Sequence, residues 1–126
     1  MFTTDRAFSG FSVDDIDAAR SFYRDTLGLD VTDNEMGLLT VRLASGARIL
    51  IYPKGNHEPA SYTVLNFPVA EIDAAVDDLT ARGVQTKIYA DDDFPTDTKG
   101  IMRGEGPPIA WFRDPAGNVL SVLEED

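Results

Sequence analysis

Two stretches of the chain share one apolar and polar pattern. Residues 13–19 read Val-Asp-Asp-Ile-Asp-Ala-Ala, and residues 69–75 read Val-Ala-Glu-Ile-Asp-Ala-Ala. Each follows an apolar run and opens a segment of helical period. In the first, Ile16, Ala19, Tyr23 and Leu27 form one stripe, which predicts a helix over Ile16–Leu27 stopped by Gly28. In the second, Ile72, Ala75, Val76 and Leu79 form the stripe, which predicts a helix over Ile72–Arg82 stopped by Gly83. Asp14, Asp15 and Asp17 precede or open the first helix, and Glu71 and Asp73 the second, where the helix dipole favours negative charge.

Short β-patterned runs surround both helices. A strand is expected before each, near Ala7–Ser12 and Tyr62–Phe67. After the first helix come Leu38–Leu43 and Ala47–Tyr52, joined by Ala44-Ser45-Gly46. After the second come Ile109–Arg113 and Asn118–Leu123, joined by Asp114-Pro115-Ala116-Gly117, a strong turn signal. The order is β-α-β-β-β, repeated. The expected class is α+β, with module 1 at about residues 5–55 and module 2 at about 61–126 of a single domain.

At 126 residues the chain suits one domain. The formal net charge of −11 argues against nucleic acid, whose phosphates need a basic surface. It suits either solubility or the attraction of a cationic ligand. With no cysteine, disulfides, zinc–thiolate sites and thiol catalysis are excluded. No apolar run is long enough to span a bilayer, and Met1–Arg6 lacks the pattern of a signal peptide. Cytoplasm is therefore the expected location, with no membrane partner.

The segment Asp15–Leu29, with acids at its start, then Phe22-Tyr23 and Leu27-Gly28, resembles the helix of the vicinal-oxygen-chelate superfamily that carries "FY-(x)₃-LG". That superfamily holds glyoxalases, bleomycin-resistance proteins and extradiol dioxygenases. Trp111–Asn118 resembles its "F-x-DP-x-GN" hairpin. The resemblance implies two modules whose sheets form a curved, half-open cup, with helices outside and ligand inside. It also implies a homodimer. Enzymes of the family hold a divalent metal through His, Gln and Glu at four inward positions. Spaced from the motifs, those positions fall at Phe8 and Val64 on the first strands and at Leu50 and Ser121 on the last strands.

None of these four residues is a competent ligand for a divalent ion. The sole histidine, His57, lies in the loop Pro53–Pro59, where a solvated surface role is expected. No metal and no cofactor are therefore expected. If the four positions face inward, strand alternation adds Gly10, Ser12, Arg48, Tyr52, Tyr62, Asn66, Val119 and Leu123 to the same faces. Phe8, Tyr52 and Tyr62 are candidates to stack on a flat ligand, and Arg48, Asn66 and Ser121 to orient it. Trp111 is a further candidate, although its face is open at this point and a core role is the commoner one.

Residues 91–108 read as a long, irregular, acidic segment: a binding loop or a solvated one. Three functions follow. The first is a metal-less binder that sequesters a cationic or aromatic small molecule, as bleomycin-resistance proteins do. The second is a metal-dependent lyase, isomerase or dioxygenase. The third is metal-free acid–base catalysis by Glu105 or Asp91–Asp93 beside Arg103.

Overall fold

In a computed structural model, residues 1–90, 95–104 and 106–125 are described. The chain divides into two compact units, Met1–Glu58 and Pro59–Asp126. The first contains β1 (Ser9–Val13), α1 (Ile16–Arg20), a π-helical stretch (Ser21–Thr26), β2 (Asp30–Asp33), β3 (Leu39–Arg42) and β4 (Arg48–Pro53). The second contains β5 (Thr63–Val69), α2 (Ile72–Ala81), β6 (Ile101–Met102), β7 (Ile109–Arg113) and β8 (Val119–Glu124). The sheets run β1-β4-β3-β2 and β5-β8-β7-β6. In each, the first strand is parallel to the last and the other pairings are antiparallel. The repeat in the sequence is thus a repeat of topology, and the class is α+β.

The first helix departs from a uniform α-helix. After Arg20 it widens, and the Leu27 amide donates to the Phe22 carbonyl five residues back. The widened turn buries Tyr23 completely, with its ring 6.0 Å from Phe11 of β1 and 5.1 Å from Phe22. Asp15 caps α1 by accepting from the amides of Asp17 and Ala18. In α2 the equivalent Glu71 makes no side-chain cap. Instead Glu124, at the end of β8, accepts from the Ile72 amide at 3.0 Å and ties the helix to its sheet.

Alternation divides the first sheet cleanly. Phe11, Val13, Leu39, Val41, Ile49 and Ile51 are buried on the face that meets the helix. Burying each such side chain contributes about 1.5–3 kcal/mol, so a one-residue slip of any strand is strongly disfavoured. In the second sheet Leu65, Leu120, Phe112, Ala110 and Val122 share one face by register, and Ile72, Val76 and Leu79 are the buried positions of α2.

Residues 95–104 are more ordered than an irregular loop. Asp97 Oδ1 accepts from the amides of Lys99 and Ile101, and Thr86 Oγ1 donates to the Lys99 carbonyl. Ile101–Met102 then adds β6 to the sheet. Patterning missed this strand because two residues are too few to show alternation. Among the described residues, no helix is long and apolar enough to cross a membrane.

Candidate functional site

Because the helix takes one face of the first sheet, the other face is left for contact with something else. It carries Gly10 and Ser12 from β1, Thr40 and Arg42 from β3, and Arg48, Leu50 and Tyr52 from β4. Gly10, Leu50 and Thr40 are register partners, as are Ser12 with Tyr52 and Arg48 with Arg42. Phe8 continues the row one step before β1 and is exposed. The Arg48 guanidinium stands 4.9 Å from the centroid of its ring. Tyr52 is also exposed, and Leu50 is half-buried.

A glycine suits position 10 for a packing reason. A Cβ there would approach the Leu50 carbonyl oxygen to 3.0 Å. His57 is not a solvated loop histidine. It is half-buried, and Nδ1 shares a 2.6 Å hydrogen bond with Ser12 Oγ. The loop after β4 thereby folds back onto β1, which spacing along the chain did not reveal.

On the second sheet, Asn66, Ser121 and Trp111 are register partners across β5, β8 and β7. This resolves the face of Trp111: it lies with Ser121. Its indole Nε1 donates to Thr63 Oγ1 at 3.2 Å, and Tyr89 meets its ring edge-on at 5.3 Å. Ser121 is fully buried, and its hydroxyl donates to Asn66 Oδ1 at 2.6 Å.

Simple alternation fails at the start of β5. The register shifts between Thr63 and Leu65, so Thr63 pairs with Val119 and Leu65 with Leu120. Val64 is the extra residue of this bulge. Thr63 takes the place beside Trp111 that alternation would have denied it. Tyr62 lies outside the strand at 71% exposure. The expectation that Tyr62 shares a face with Asn66 by alternation is corrected accordingly.

A metal does not fit the four positions that the resemblance assigns to ligands. Phe8, Leu50 and Val64 have no donor atom, the Thr63 hydroxyl that the bulge brings onto the face accepts from Trp111, and the Ser121 hydroxyl is committed to Asn66. Among the described residues, no group of three or more His, Cys, Asp or Glu side chains is arranged to hold an ion. The acid–base candidates Asp91–Asp93 and Glu105 lie outside the described residues. Their expected partner Arg103 donates to Asp73 at 2.9 Å, and this hydrogen bond is the main cause holding the Asp73 carboxyl below its ordinary range.

Two arginines were absent from the candidate set drawn from sequence. A cavity of about 440 Å³ at the hairpin end of the first sheet is lined by Arg6, Arg42 and Arg48, together with Asp5, Ala7, Gly46 and Ala47. The signal for Arg42 was present. It and Arg48 sit symmetrically about the turn, so a hairpin there must set them opposite each other.

A family model described as "Glyoxalase/Bleomycin resistance protein/Dioxygenase superfamily" matches residues 7–122. Among curated proteins, none matches the chain. Solved structures do. A member of the same superfamily from Sphaerobacter thermophilus is 26% identical, with 97% of this chain and 98% of that chain covered and a TM-score of 0.72. An antibiotic-binding protein from Streptomyces sp. CB03234 is 22% identical, with 99% and 100% covered and a TM-score of 0.70. A lactoylglutathione lyase from Agrobacterium tumefaciens is 23% identical, with 98% and 96% covered and a TM-score of 0.62. The latter two likenesses are of fold alone.

Proposed function

Since the chain belongs to the Glyoxalase/Bleomycin resistance protein/Dioxygenase superfamily, we propose that it binds and sequesters a small organic molecule without a metal ion. The observation that carries this reading is the residue set Phe8, Leu50, Val64 and Ser121 at the four ligand positions of the resemblance. Three of these side chains are apolar and the fourth offers only a hydroxyl already bonded to Asn66, so none grips a divalent ion as imidazole or carboxylate would. On the first sheet, Phe8, Leu50 and Tyr52 stand among polar Ser12, Thr40, Arg42 and Arg48, a mixture of apolar body and polar handles that suits an organic ligand.

That face of the first sheet is accessible. Phe8 and Tyr52 are exposed aromatics on its helix-free face, with Leu50 between polar neighbours. Trp111 and Ser121 on the second sheet are buried and hydrogen-bonded, so their role is to hold that face in shape. The fold is compatible with either binding or catalysis, as the antibiotic-binding and lyase neighbours illustrate. The residues at the ligand positions favour binding.

The test is a thermal-shift panel of flat aromatic molecules, both charged and neutral, run on protein treated with EDTA. A true ligand at about 100 times its Kd stabilises by roughly 2.7 kcal/mol, which is several degrees in Tm for a chain of this size. The reading expects at least one such shift, diminished in Tyr52→Ala. A shift that appears only when zinc, manganese or nickel is added back contradicts it.

A further inference from the structure

We propose that the hairpin end of the first sheet is an oxyanion site, in which Arg6, Arg42 and Arg48 grip a phosphate, phosphonate or sulfonate group. This rests on the small-molecule reading above and names the chemistry of the ligand. It departs from the alternative, left open by the net charge, of a cationic ligand.

Three observations converge. The first is the pairing of charges. The chain has 22 acidic residues against 11 Lys and Arg. Arg20, Arg24, Arg82, Arg103 and Lys99 each form an ion pair with an aspartate. Among the described residues, Arg6, Arg42 and Arg48 share with Lys54 and Arg113 the lack of such a pair, but only these three gather around one cavity, and Arg42 lacks one even though Asp30 is its register partner on β2.

The second observation is the register. Arg42 and Arg48 are directly opposite on one face of an antiparallel pair. Like charges in that position repel and destabilise the sheet. The Gly46 turn does not require arginine on either side of it. An anion held between them converts the repulsion into two charge-assisted contacts.

The third is the cavity. An open cleft of about 440 Å³ is lined by the three arginines, a volume within the range of small-ligand sites. Three arginines and Asp5 give its lining a formal charge of 3 − 1 = +2. Arg48 is held without spending its charge. Its guanidinium lies over Phe8, and Nη2 donates to the Arg6 carbonyl at 3.4 Å. A ligand that places its oxyanion on the arginines would set an attached apolar group toward Phe8.

Titration of the full chain with phenylphosphonate, inorganic phosphate and benzyltrimethylammonium, followed by amide NMR and calorimetry, tests the assignment. Phenylphosphonate should shift the amides of residues 42–48. Arg42→Gln and Arg48→Gln should each weaken it by roughly tenfold or more. Tighter binding of phenylphosphonate than of inorganic phosphate assigns part of the recognition to the Phe8 ring. Equal binding assigns it all to the oxyanion.

Arg42→Gln should leave the Tm of the ligand-free protein within about 2 °C, because the lost repulsion from Arg48 is offset by the lost attraction to Asp30. That readout shows that the variant folds. The proposal is overturned if about 10 mM phenylphosphonate leaves residues 42–48 unmoved, or if the double arginine variant binds it as well as the native chain. Binding of benzyltrimethylammonium on the Leu50 and Tyr52 face with no response to phenylphosphonate would sink the oxyanion site and leave the small-molecule reading standing.

Discussion

At the scale of single residues, the glycine at 100 shows how tightly one position can govern a segment. Its φ is +86°, and a Cβ would stand 2.1 Å from the Thr86 carbonyl oxygen. Neither strain can be relieved by a side-chain rotation, because the obstacle is backbone. Gly100→Ala should therefore cost at least 2 kcal/mol, roughly the sum of a left-handed residue and a backbone clash. Urea unfolding followed by far-UV circular dichroism would measure it. A loss below about 0.5 kcal/mol would mean that residues 95–104 are not anchored to Thr86. The residue scale is also where sequence reading was weakest. Ser12 with His57, and Trp111 with Thr63, are contacts between residues 45 and 48 positions apart. No local pattern encodes such pairs.

At the scale of elements, the repeat was legible because the same physical solution is used twice. Gly46 and Gly117 both take positive φ in hairpins closed by equivalent backbone bonds, from the Leu43 amide to the Ala47 carbonyl and from the Asp114 amide to the Asn118 carbonyl. The second hairpin is the more elaborate. Asp114, almost wholly buried, accepts from the amides of Ala116 and Asn118 and from the Asn118 side chain. The motif Asp-Pro-Ala-Gly-Asn is thus explained as turn architecture. Asp114→Ala strands those donors and should destabilise the chain by about 2–4 kcal/mol, read by thermal and chemical unfolding. Asp114→Asn, which keeps an acceptor, should lose clearly less. Elements without a repeating pattern escaped notice. β6 is too short to alternate, and the bulge at Val64 breaks alternation where β5 begins. The widened turn at Ser21–Thr26 leaves the apolar stripe unchanged, so periodicity reads it as ordinary helix.

At the scale of the whole molecule, charge and chemistry diverge. A net charge of −11 describes the average surface, yet the cleft at the hairpin end of the first sheet is lined by three arginines. A global count could not show this, because it does not say which cations are neutralised. Fold class and topology, in contrast, followed from the doubled β-α-β-β-β order, and the structure has that order in both units, although β2 and β6 were not located along the chain. The central proposal is that the chain works without a metal, since Phe8, Leu50, Val64 and Ser121 include no imidazole or carboxylate. Metal analysis by inductively coupled plasma mass spectrometry tests this most directly. Untagged protein would be incubated with equimolar zinc, manganese and nickel, then gel-filtered. The account predicts far less than one ion per chain, unchanged by Ser121→Ala. One firmly held divalent ion per chain, lost in that variant, would contradict it.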